Sequence, residues 1–146
     1  MMMRIDLPRQ SRSGRFIGLA DVLREIPDNS LFWSMQYLAD AIGAAPEGVD
    51  WVDLENLVNT SARGYEFSWA ELVGFSEGLS DVVDVFLVAD VGRVETRYDF
   101  DEPDVVDRPP TLIVQMEDSS SWSIWVDEQW DGSAQAASGL RKLAER

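Results

Sequence analysis

Any chemistry this chain performs runs on carboxylates, hydroxyls and arginines. Its 146 residues include 27 Asp and Glu but no His and no Cys, and Lys142 is the single lysine. Without His, the usual general base near neutral pH and the commonest metal ligand are missing. A Ser-His-Asp triad cannot be built. Without Cys there is no disulfide, no thiolate nucleophile and no Cys-ligated zinc or iron–sulfur centre. The stretch "EDSSSWSIWVDEQWDG" (residues 117–132) places Ser119, Ser120, Ser121 and Ser123 around Trp122, with Trp125 and Trp130 following. A nucleophilic serine needs an adjacent base, and no G-x-S-x-G elbow is present. These serines read as polar turn residues.

The carboxylates carry more information. Asp99, Asp101, Glu102, Asp104 and Asp107 fall within nine residues of "YDFDEPDVVD". Close carboxylates can chelate Ca²⁺ or Mg²⁺, but this run lacks the D-x-[DN]-x-[DN]-G loop with its distal Glu. A solvated acidic loop is the better reading, with no metal and no cofactor. A loop of this length also suits docking of a cationic protein partner. Glu117, Asp118, Asp127 and Glu128 add acids around the tryptophans. Side chains alternate between faces along a strand. Trp122 shares parity with Ile124 and Val126, whereas Trp125 shares it with Ser123 and Asp127. Parity therefore predicts Trp122 in the core. Trp125 goes to the outer face or under another element. An exposed Trp beside carboxylates is a strong interface anchor, so Trp125 joins the nine acids named above as the candidate partner-binding set. For acid–base work, spacing selects no pair among Glu66, Glu71, Glu117, Asp118, Asp127 and Glu128. Arg9, Arg12 and Arg15 can clamp an anion or pair with the chain's own acids.

The net charge is −15, unevenly placed. Residues 1–27 hold five Arg against three acids, and residues 28–131 hold 23 acids against four Arg. Such a field repels phosphate backbones, which disfavours nucleic-acid binding, and it speeds the arrival of cationic partners. Solubility is the plain alternative. No apolar run approaches the ~18 residues of a membrane span, and the first residues lack a signal-peptide core. A cytoplasmic protein with no membrane contact is expected.

The elements that must position these groups follow from periodicity. In residues 27–43, Leu31, Met35, Leu38 and Ile42 recur at helical spacing, which predicts a helix closed by Gly43. A second helix is predicted after the N-cap Asp50, with Asp53 favoured by the helix dipole and Gly64 closing. "SWAE" is an S-x-x-E capping box from Ser68 to Glu71, flanked by Phe67 and Leu72 at the staple positions. In the helix it starts, Gly74 and Gly78 either weaken the turn or let something pack close. Residues 82–89 and 94–100 read as strands. Residues 112–116 and 122–126 alternate around a hairpin-sized "DSS" connection. Residues 8–15 read as a loop or mobile basic arm, the preceding residues as a short strand, and the tail as a helix with Leu140 and Leu143 inward. Helices, then strands, then one helix argue for a single α+β domain. Its antiparallel sheet has three to five strands, covered by helices mainly on one face.

The succession "SWAELVGFSEGLSD", strand "VVDVFLVA", hairpin "EDSSSWSIW" and C-terminal helix, over residues 66–146, resembles the small immunity proteins of bacterial polymorphic toxin systems. The resemblance implies a cytoplasmic single-domain protein that binds a cognate toxin and blocks its active site or its access to substrate. Three other classes share parts of the same features: a nucleic-acid mimic, an acidic structural subunit, and a carboxylate-dependent enzyme with two acids facing across a cleft.

Overall fold

A computed structural model describes residues 2–103 and 106–146. In chain order, the described residues form β1 (Met2–Pro8), α1 (Leu19–Arg24), β2 (Phe32–Ala39), β3 (Ile42–Gly43), α2 (Trp51–Thr60), β4 (Tyr65–Phe67), α3 (Trp69–Glu77), β5 (Leu79–Asp81), β6 (Asp84–Asp90), β7 (Leu112–Glu117), β8 (Ser121–Asp127) and α4 (Ser133–Glu145). The fold is α+β. The main sheet is antiparallel and has six strands in the order β1-β8-β7-β6-β2-β4, with β3 and β5 forming a separate pair. The expectation of three to five strands falls short because β2 and β4 were not read as strands, and the separate β3–β5 pair was not foreseen.

The helix expected over residues 27–43 is a strand for a specific reason. Leu31, Trp33 and Met35 alternate inward. The register against β6 then shifts between Met35 and Tyr37, so the next inward residue is Leu38. A β-bulge inserts one unpaired residue and resets the phase. The inward set 31, 35 and 38 therefore imitates a helical period although the backbone is extended.

All four helices bury residues in one cluster with one face of the sheet, including Val22, Leu54, Leu72, Leu140, Leu87, Val114 and Trp122. α2 and α3 begin as their sequences predict. The Asp50 side chain accepts from the Asp53 N–H, and Ser68 and Glu71 form both halves of the capping box. Gly64 closes the turn before β4 at a φ of +65°, where a Cβ would lie 2.3 Å from the Met35 carbonyl oxygen. Only glycine tolerates both demands.

The opposite sheet face has a cover of its own. Phe86, Val88, Ile113 and Trp125 are buried there with Val94, and Tyr98 and Phe100 pack on them. Residues 94–100 were expected to add a strand. Instead they cross this face as an irregular strap that begins after β6. The Gln36 side chain stands in for ladder partners, donating to the Thr96 carbonyl at 2.8 Å and accepting from the Tyr98 N–H at 2.8 Å. Gln115 donates to the Phe100 carbonyl. Arg97 donates to the carbonyls of Val58 at 2.9 Å, Ser61 at 2.7 Å, and Gln36. Buried amides on the sheet thus satisfy the strap's backbone, as a low-dielectric interior requires.

The basic segment 8–15 runs as a loop. Its Ser11 N–H bonds the Arg15 carbonyl, and Arg12 and Ser13 donate to the carbonyls of Ala144 and Arg146 at the end of α4. Its arginines meet the chain's own acids, pairing Arg9 with Asp81, Arg12 with Glu145 and Arg15 with Asp21. Among the described residues, no helix is long and apolar enough to cross a membrane.

Candidate functional site

Two acidic segments about 15 residues apart in sequence meet at one groove. Asp101 and Glu102 from the strap and Glu117 from β7 line a space of about 330 Å³ with Ser123, Trp125 and Arg4. The hairpin sets one wall. Asp118 and Ser119 both take positive φ, 52° and 54°, and the Ser120 N–H closes the turn on the Glu117 carbonyl. That geometry follows the right-handed twist of the flanking strands. The strap sets the other wall, held down at Phe100 by Gln115.

Trp125 lies on the outer face, as strand parity predicts, but under cover. It is 5% exposed. The Arg4 guanidinium stands 4.9 Å from its ring centroid, a cation–π contact. Arg4 is held there by Asp6 at 2.9 Å, and Ser123 bridges toward the same carboxylate at 3.1 Å. The expected outward anchor is therefore part of the groove floor, with almost no ring area open to a partner.

The other candidate residues scatter. Asp99 is exposed and accepts from the Asp101 N–H at 2.9 Å. Asp107 is exposed beyond the groove. Asp118 is exposed at the turn, its N–H bonded to Asp84 at 2.7 Å. Asp127 is half-buried at the end of β8 and accepts from the Gln129 N–H. Glu128 faces a different hollow, with Met3 and Arg141 beside α4. Asp104 lies outside the described residues.

A larger cleft, about 950 Å³, opens between α3, the start of β2 and the beginning of the strap. Sequence reasoning missed it because it took residues 27–43 for a helix. The density of aromatics in "LFWSMQY" was the available signal for a strand. Trp33 and Trp69 stack there with ring centroids 5.5 Å apart. Their indole N–H groups donate to Asn29 and Asp28, each at 3.1 Å. Arg93 grips Glu66 through two bonds, at 2.6 and 2.8 Å.

The cleft's two carboxylates with shifted pKa are tied to structural partners. Hydrogen bonds from Arg93 hold the Glu66 carboxyl below the usual carboxylate range, and the Ser68 backbone N–H does the same for Glu71. A general acid needs the opposite shift. Depressed folded-state values mean that both contacts stabilise the fold above the unfolded carboxylate pKa, and that this stability is lost as pH falls through the folded values. Urea midpoints should therefore decline below about pH 4, and the Glu66→Gln/Glu71→Gln double variant should decline less. Ser68→Ala should cost about 1 kcal/mol at neutral pH.

Among the described residues, no group of three or more Asp and Glu is arranged to hold a metal ion. Comparison of the chain with protein-family models, with curated proteins and with solved structures gives no match.

Proposed function

We propose that this protein is a non-enzymatic, acidic binding domain that inhibits a cationic partner protein, in the manner of an immunity protein against its cognate toxin. The observation that carries this reading is the convergence of Asp101, Glu102 and Glu117 on one groove. Glu117 ends strand β7 and the strap is tied down at Phe100 and Asp101, so part of the backbone ordering is already in place when these carboxylates meet a partner's Lys or Arg. The net charge of −15 supplies the long-range attraction, which acts mainly on the rate of encounter. Inhibition is steric and electrostatic, by occupying a basic surface that the partner needs. Trp125 contributes by shaping the groove floor rather than by filling a pocket on the partner.

Co-expression with the product of the neighbouring gene tests this directly. That product should be toxic alone and harmless with this protein. The association rate of the purified pair should fall about tenfold between low and physiological salt. Asp101→Asn, Glu102→Gln and Glu117→Gln together should slow it by roughly a further fivefold, with the melting temperature unchanged. A neutral or acidic partner, or an association rate insensitive to salt, would sink the reading.

A further inference from the structure

The cleft along α3 and the groove lie at opposite ends of the strap, since Arg93 and Val94 wall the first and Asp101 and Glu102 the second. Trp69, Val73 and Glu77, with Ala70 and Gly74 between them, line the cleft from one end of α3 to the other. Residues four apart share a helix face, so the cleft is a channel running along the helix. At 1.5 Å per residue it is ~12 Å long, the span of about four residues of extended chain. Its lining is largely apolar and partly open, since Phe32 at the start of β2 is 50% exposed and Trp69 on α3 is half-buried. A Cβ built on Gly74 meets nothing within 4 Å, so this glycine leaves the wall open without being needed for the helix backbone.

The charges around the channel point one way. Among the described residues Asp28, Glu66, Glu71 and Glu77 line it with Arg93, and Arg24, which lines the adjoining hollow with Asp28 and Glu77, is paired with Asp21. Glu66 neutralises Arg93 and Glu71 is occupied by the cap; Asp28 gives one oxygen to the neutral Trp69 indole N–H and keeps its charge at one end, with Glu77 at the other. Glu77 sits at the C-terminal end of α3, whose last turn has no basic residue. Its carboxylate and the negative end of the helix dipole act together on a cation.

We propose that this channel is a second recognition site. It takes an extended, four-residue segment of a partner protein with an aromatic or long aliphatic side chain at its centre and Lys or Arg at its ends. The apolar side chain lies on Phe32 and Trp69, and the cations face Asp28 and Glu77.

The test is a ¹H–¹⁵N NMR titration of the intact chain with acetyl-Lys-Phe-Leu-Arg-amide, and separately with acetyl-Glu-Phe-Leu-Glu-amide. The basic peptide should shift the indole N–H signals of Trp33 and Trp69 and the amides of residues 70–77. The acidic peptide should bind at least about fivefold more weakly. Asp28→Asn with Glu77→Gln should weaken the basic peptide by about two- to fivefold per carboxylate. Gly74→Leu should abolish the shifts while holding or raising the melting temperature, since Leu is the better helix former. Equal binding of the two peptides overturns the proposal. So do shifts that persist in Gly74→Leu, shifts confined to residues 120–125, and the absence of any shift in the channel. Variants of Asp101, Glu102 and Glu117 should leave this titration unchanged, so the channel and the groove fail or stand separately.

Discussion

Trp122→Ala should lower the unfolding free energy by about 3–5 kcal/mol, the usual cost of emptying a fully buried aromatic site. Trp122 has no exposed surface. It sits in register with Met116 on β7 and Leu7 on β1, at the centre of the helix-covered face. Its indole N–H donates to the Ile17 carbonyl at 2.9 Å, across 105 residues of sequence. The side chain therefore does two jobs, filling volume and tying the segment before α1 to the hairpin. Trp122→Phe separates them. It keeps most of the packing but leaves the Ile17 carbonyl with only the longer bond from Arg9 at 3.4 Å, at about 1 kcal/mol. Urea denaturation of both variants reads the two costs. A loss under about 1 kcal/mol for Trp122→Ala, the scale of a surface substitution, would mean the core is not built around this residue.

The second large effect is expected at Arg97. One planar guanidinium donates to three carbonyls, two at the C-terminal end of α2 and one on β2. Arg97→Ala removes all three bonds at once and should cost about 2 kcal/mol, discounted for the partial exposure of the site. Arg97→Lys should recover little, because an ammonium is a compact charge that cannot span the same fork. The loss should be local before it is global. The Tyr98 amide, bonded to the Gln36 side chain, should exchange with solvent much faster in Arg97→Ala, while amides of β7 and β8 keep their protection. Uniformly faster exchange would show that the strap does not open on its own.

Local signals in the sequence survived where short-range physics decides the outcome. The Ser68–Glu71 capping box and the Asp50 cap depend on three residues each, and both form as read. The alternation around the hairpin also held, placing Trp122 and Trp125 on opposite faces. Position 125 illustrates the limit. Parity gives the face of the sheet but not what lies on that face, and here a strap and Arg4 cover the ring. The bulge in β2 is a longer-range effect. It is stabilised by pairing with β6 and converts period two into something that looks like 3.6. The groove was half legible. Its acids were found as two separate runs, but that Asp101, Glu102 and Glu117 converge while Asp107, Asp127 and Glu128 do not is a property of the topology. The α3 channel was invisible because one wall belonged to the misread segment.

The position of β1 has a consequence for synthesis. It is an edge strand whose only partner in the sheet is β8, beginning at Ser121. A ribosome adding about 5–20 residues per second needs roughly 6–24 s to make the intervening chain. Throughout that interval β1 has no ladder to join, and Ile5 and Leu7 lack the β8 side of the core. β1, though made before the strand it pairs with, can join the sheet only once the hairpin has left the exit tunnel.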